Sequence, residues 1–121
     1  LVMVYSASSV SLALLETVYA LRNGDLPMNR YLVRIDVPDD VFARHERCDP
    51  PPGGWDAIPA GMTSAKYGDG WIAGASAALL QVPSVIVPDE SNYLINPRHR
   101  DSVRMHAVTV RRWQFDPRLF K

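Results

Sequence analysis

A single charge inside an otherwise apolar helical segment constrains how the start of this chain can pack. Glu16 is the only formally charged side chain among the first twenty-one residues. It lies within Ser9-Val10-Ser11-Leu12-Ala13-Leu14-Leu15-Glu16-Thr17-Val18-Tyr19-Ala20-Leu21, which has strong helix formers at its centre. Ser8 or Ser9 is placed to cap the helix, and Asn23-Gly24 to stop it. On a helix, Glu16 has Leu12, Ala13, Tyr19 and Ala20 as neighbours, and none of them carries charge. Stripping water from a carboxylate in such surroundings costs on the order of several kcal/mol unless a partner offsets it. Two readings stay open from helix geometry alone. Glu16 either lies at the edge of the buried stripe and snorkels to water, or is a desolvated carboxylate at work in a cleft.

Composition narrows the function classes. The 121 residues are 47% hydrophobic, which is enough for one globular domain over residues 1–121 with a modest core. Thirteen basic and thirteen acidic residues cancel, so no overall field favours nucleic acid or an anionic membrane. No apolar run approaches the ~20 residues that span a bilayer, and the start lacks the basic region and apolar core of a secretory signal. The single cysteine, Cys48, cannot form an intrachain disulfide, which fits a cytoplasmic setting and reads as an incidental free thiol in a polar loop. Leu1-Val2-Met3-Val4-Tyr5 reads as a strand with no lead-in. The chain is therefore expected to be the later part of a longer protein.

Elements of both types follow. Arg30 to Val37 alternates polar with aromatic or β-branched residues, a half-buried strand ended by Pro38. Val41 to Arg47 reads as one helical turn, and residues 48–63 as an irregular loop around Pro50-Pro51-Pro52-Gly53-Gly54. Thr63 or Ser64 is placed to cap a helix over 65–73, in which each glycine costs roughly 1 kcal/mol against Ala. Ala78 to Val82 and Ser84 to Val87 read as apolar β-runs, with Pro83 forcing an edge or a bulge between them. Asn92 to Pro97 reads as a structured loop. His106 to Phe115 reads as a last strand, with Val108, Val110 and Trp113 as core candidates. The order implies an α/β or α+β fold.

General signatures are lacking in the sequence. There is no Gly-rich phosphate loop, no paired-cysteine zinc spacing and no His-Glu-x-x-His helix. His45, His99 and His106 are scattered without ligand spacing, so no metal is expected. Arg98, Arg100, Arg104, Arg111 and Arg112 read as a solvated basic face balanced by Asp101 and Glu90.

Three segments point further. Val4-Tyr5-Ser6-Ala7-Ser8 followed by Leu12-Ala13-Leu14-Leu15-Glu16 resembles the strand-to-helix core of the RES domain family. Leu79-Leu80-Gln81-Val82-Pro83-Ser84-Val85-Ile86-Val87-Pro88, with Asn92-Tyr93-Leu94-Ile95-Asn96-Pro97 downstream, resembles that family's second block. Gly68-Asp69-Gly70-Trp71-Ile72 and Trp113-Gln114-Phe115-Asp116-Pro117-Arg118-Leu119 look like its remaining landmarks. Glu16 matches the family's Glu and Ser84 its Ser, while the family's Arg would precede Tyr5 by some ten residues and has no match here.

The resemblance implies an ADP-ribosyltransferase-like fold with a mixed, bent sheet and flanking helices. It also implies a cytoplasmic type II toxin that consumes NAD⁺, as glycohydrolase, phosphorylase or ADP-ribosyltransferase, and a cognate helix-turn-helix antitoxin of the Xre type as partner. A homodimer is a further expectation. On this reading Glu16 and Ser84 are the catalytic pair and Tyr5 and Asn92 contact the dinucleotide. The chemistry fits these residue types. Breaking the nicotinamide–ribose bond develops oxocarbenium character, which a carboxylate stabilises. Nicotinamide leaves as a neutral group, so one carboxylate suffices. Tyr5 offers a ring face to the pyridinium, a contact of about 0.5–2 kcal/mol; without the resemblance it reads equally as a core tyrosine. Ser84 is expected to donate either to the dinucleotide or to Glu16. A non-catalytic protein- or nucleotide-binding module of the same fold is the alternative.

Overall fold

A computed structural model of the chain describes residues 3–20, 29–49, 53 and 62–120. Asn23-Gly24 and most of the expected 48–63 loop lie outside these residues. Strand β1 (Val4–Ala7) leads into helix α1 (Val10–Ala20). β2 (Arg30–Asp36), α2 (Asp39–Ala43) and the short β3 (Glu46–Arg47) follow, then α3 (Met62–Gly74), β4 (Leu79–Pro83), β5 (Ser91–Ile95) and β6 (His106–Trp113). Helices and strands mix as expected for an α+β protein.

Four strands form one mixed sheet in the order β1-β5-β4-β3. β5 runs antiparallel to both β1 and β4, whereas β3 is parallel to β4. β2 and β6 pair only with each other, as an antiparallel ribbon with a register shift between Leu32 and Val33. This separation corrects one sequence expectation. Among the described residues no third strand flanks the ribbon, and Val108 and Val110 are 37% and 48% exposed rather than core residues. Trp113 is half-buried, and Phe115 just beyond it is the buried ring. The two rings meet edge-on with centroids 6.5 Å apart.

Local chemistry sets the element ends. The Leu12 N–H donates to Ser9 Oγ at 3.1 Å, so Ser9 caps α1 and satisfies one of its free amides. α2 starts earlier than expected because Asp39 and Asp40 favour the positive end of a helix. α3 tolerates Gly68 because the helix lies close to the chain's start: a Cβ there would stand 3.0 Å from Met3 Cε. Ala75 ends α3 in the left-handed region at φ 49°, where its N–H reaches the Trp71 and Ile72 carbonyls.

The core brings together Cys48, Leu80 and Leu94, with Met3, Trp71 and Val82 packed against them. Cys48 is therefore a buried core residue, not an incidental thiol in a polar loop. Its backbone N–H donates to the Gln81 carbonyl at 2.9 Å, extending the β3–β4 pairing and turning the side chain inward. The Tyr67 phenol is pushed above its ordinary range, chiefly by its hydrogen bond with Cys48 and then by burial.

Two acidic–basic ties fasten α2 to the 3₁₀ turn Arg100–Arg104. Arg104 grips Asp40 with both terminal nitrogens at 2.6 and 2.9 Å, and Arg44 reaches Asp101 at 3.1 Å. Of the expected basic face, Arg104 is thus paired with Asp40, while Asp101 is engaged by Arg44. Hydrogen bonding from Arg104 holds the Asp40 carboxyl below its ordinary value of 3.8. A depressed carboxyl stabilises the fold above its unfolded pKa and loses that contribution as pH falls through the folded one. Asp40→Asn should therefore lower the urea midpoint at neutral pH, with the gap to wild type closing below pH 3.8. An unchanging gap down to strong acid would rule out the ion pair as its source. The pair is open to solvent, so the effect is small.

Candidate active site

The residues that converge come from three places far apart in sequence. α1 carries Glu16, the residue after β4 is Ser84, and β5 carries Asn92 at its second position. The β4–β5 register sets the latter two side by side: Pro83 lies opposite Ser91, and Val82 opposite Asn92. Ser84 extends the ladder by one bond, its N–H donating to the Glu90 carbonyl at 2.9 Å.

This corrects two element expectations. Residues 84–87 form no strand, despite three β-branched residues in a row. Pro83 ends β4, and the chain then turns back through residues 85–90 to start β5. Conversely, Asn92 to Ile95 belongs to a sheet strand and not to a loop. Its asparagine and the following Asn96-Pro97 look like turn chemistry, but Asn92 is polar because of what it touches.

Ser84 is fully buried, and its hydroxyl is completely used. Oγ accepts from the Ile86 and Val87 backbone N–H groups at 3.2 and 3.1 Å, pinning the turn. Its one proton goes to Glu16 Oε1 at 2.8 Å. A serine hydroxyl has one donor and two lone pairs, so nothing remains for another group. Asn92 Nδ2 donates to the same Glu16 oxygen at 2.9 Å. Oε1 thus receives two hydrogen bonds from two elements, while Oε2 receives none from the described residues. Hydrogen bonds to a charged acceptor contribute about 1.5–3 kcal/mol each, which offsets much of the desolvation of this partly buried carboxylate.

One atom has no partner. Asn92 Oδ1 is closed to solvent and accepts no hydrogen bond, alone in this among side-chain polar atoms of the described residues. Such a group costs about 1–3 kcal/mol.

Of the four residues expected at the site, the structure joins Glu16, Ser84 and Asn92. Tyr5 makes no hydrogen bond to them. It is 75% exposed opposite Leu94 on β5, which excludes the core-tyrosine reading. Sequence reasoning missed the backbone of Ile86 and Val87, which fixes Ser84. The signal was present in the Pro-Ser-x-x-x-Pro-Asp composition of a side-chain-capped turn. A separate cavity of about 130 Å³ lies between α1 and the β2–β6 ribbon, walled by Leu14, Leu32, Trp113 and Phe115, with Arg30 also lining it. None of the three converging residues lines it, so the chemistry is assigned to the carboxylate and not to the hollow. Among the described residues no group of His, Cys, Asp and Glu is arranged to hold a metal ion, and no helix is long and apolar enough to cross a membrane.

The class defined by this geometry is a site with a single carboxylate, one oxygen locked and the other open, suited to meeting a positive charge. Comparison with known proteins gives the family. The chain belongs to the RES domain family, whose profile matches residues 2–117. It is 53% identical over 120 residues to a Sphingobium protein named "Prs ADP-ribosylating toxin", covering 98% of this chain and 74% of that one. It is 36% identical over 117 residues to "Toxin Res" of Yersinia enterocolitica, covering 96% and 76%. A "Toxin Res" of Pseudomonas putida is 36% identical over 119 residues, covering 97% and 79%.

Proposed function

We propose that this protein is a toxin that cleaves the nicotinamide–ribose bond of NAD⁺, with Glu16 as the catalytic carboxylate. The observation that carries the reading is the Glu16 carboxylate itself, held at Oε1 by Ser84 and Asn92, with no hydrogen bond from the described residues on Oε2. The names of the relatives support the toxin and the ADP-ribosyl chemistry.

In this mechanism the bond between the ribose anomeric carbon and the pyridinium nitrogen breaks. Its electron pair passes to nicotinamide, which leaves neutral, and positive charge develops on the ribose. The Glu16 carboxylate stabilises that charge and accepts a hydrogen bond from a ribose hydroxyl through Oε2, a bond that strengthens in the transition state. Because Oε1 is fixed before substrate arrives, no reorganisation is needed during the reaction. An acceptor oxygen or nitrogen then attacks the anomeric carbon and loses its proton. Ser84 acts through Glu16. Exposed Tyr5 supplies an aromatic face for the pyridinium ring.

The name of the Sphingobium relative favours transfer of ADP-ribose to an acceptor, for which a protein side chain is one candidate. Water and phosphate are the other acceptors, and the products tell the three apart. Incubating the full-length protein with NAD⁺, with and without phosphate and with cell extract, should release nicotinamide. The ribosyl product then appears free, phosphorylated or attached to protein. Absence of nicotinamide release under all three conditions would end this reading. An adjacent helix-turn-helix protein of the Xre type is proposed as the neutralising partner, to be tested by rescue of growth on co-expression.

A further inference from the structure

We propose that Asn92 is a positioning residue for Glu16, locking one carboxylate oxygen together with Ser84 so that Oε2 alone meets the substrate. This deepens the reading of Glu16 as the catalytic carboxylate and rests on it. Asn92 sits opposite Ala7 on β1 and Val82 on β4, both apolar. Its amide nitrogen donates to Glu16 Oε1 at 2.9 Å, while its amide oxygen is buried without a donor. A half-turn of an asparagine amide exchanges nitrogen and oxygen. Here that turn would set two acceptors, Oδ1 and Glu16 Oε1, against each other. The carboxylate therefore dictates which way the amide faces, and Oδ1 is left unpaired as the consequence.

Asn96, four residues on, shows what an asparagine kept for the fold does instead. It is buried, its Nδ2 donates to the Ile72 carbonyl at 3.4 Å, and its Oδ1 accepts from the Arg98 N–H at 3.0 Å. Both ends are satisfied. A buried polar group left unsatisfied beside a reactive residue marks a requirement other than stability. Two donors arriving from different elements also fix rotation about the last bond of Glu16, which a single donor would not.

The test compares Asn92→Asp and Asn92→Leu with wild type in the full-length protein, following nicotinamide release from NAD⁺. In Asn92→Asp two carboxylates face each other at neutral pH and the donor is lost. At lower pH the pair shares one proton, and the new carboxyl donates to Glu16 as the amide did. The ratio of Asn92→Asp to wild-type kcat should therefore rise about tenfold or more from pH 8 to pH 5, with KM for NAD⁺ held within about threefold. The titratable side chains nearest in sequence or register are Tyr19 on α1, Tyr5 on β1, Glu90 before β5 and Tyr93 on it; they are common to both proteins, so the ratio isolates position 92.

Asn92→Leu should lose about 10–100-fold in kcat at every pH, with KM nearly unchanged and no fall in Tm. A flat ratio across pH, an Asn92→Leu variant as active as wild type, or a loss confined to KM would each overturn the positioning role. Glu16→Gln serves as the control for the reading beneath it. If that variant still turns over NAD⁺, the carboxylate assignment fails; if it is dead while the Asn92→Asp ratio stays flat, only the role of Asn92 fails.

Discussion

Glu16→Gln should leave a folded protein whose NAD⁺ consumption falls by about 10³-fold or more, the loss expected when a preorganised charge opposite a developing cation is removed. The substitution is well matched to the question. A glutamine oxygen still accepts from Ser84 Oγ and Asn92 Nδ2, so both hydrogen bonds on Oε1 survive. What disappears is the negative charge at the open oxygen, where an amide nitrogen now stands. Stability should change little, with Tm within about 2 °C of wild type. Nicotinamide release by the purified variant measures the first effect and thermal unfolding the second. In cells, expression of wild type should deplete NAD⁺ and stop growth, and the variant should do neither. Undiminished depletion by a well-folded variant would remove Glu16 from the chemistry.

Ser84→Ala should damage both activity and stability. Deleting Oγ removes one of the two donors on Glu16, and the loosened carboxylate should cost about 100-fold in kcat/KM. The Ile86 and Val87 amides lose their acceptor at the same time. Leaving such groups unpaired costs about 1–3 kcal/mol, visible as a lower urea midpoint. The pairing of the two losses is the signature. A variant that loses activity with full stability would mean that the turn does not depend on the hydroxyl, contrary to the geometry. Threonine should not substitute, because the fully buried position offers no space for a methyl group.

The meeting of Glu16, Ser84 and Asn92 was legible through the family resemblance, more so than the framework around it. Glu16 stood out because a lone charge breaks an apolar helix, and its helix was found with Ser9 as its cap. The β5 strand was hidden because Asn92, Asn96 and Pro97 carry the composition of a loop, although Asn92 is polar for the sake of Glu16. The run Val85-Ile86-Val87 gave the opposite error: β-branched residues suggested a strand, while one buried hydroxyl and a proline on each side made a turn. Val108 and Val110 were assigned to a core because alternation shows which residues share a face, not whether anything covers it. Cys48 was misplaced because its burial depends on a two-residue strand pairing with β4, too short for any periodicity to show. Each miss depends on a contact between distant segments.

The separation of the three converging residues has a consequence in time. Glu16 lies 68 residues before Ser84 and 76 before Asn92. During synthesis the carboxylate leaves the ribosome well ahead of both its partners. Until the β4–β5 hairpin closes, neither the Ser84 nor the Asn92 hydrogen bond is there to hold that carboxylate in its pose. On the proposed reading of Glu16 as the catalytic carboxylate, the order of the chain sets an interval between translation of that residue and assembly of the site that positions it.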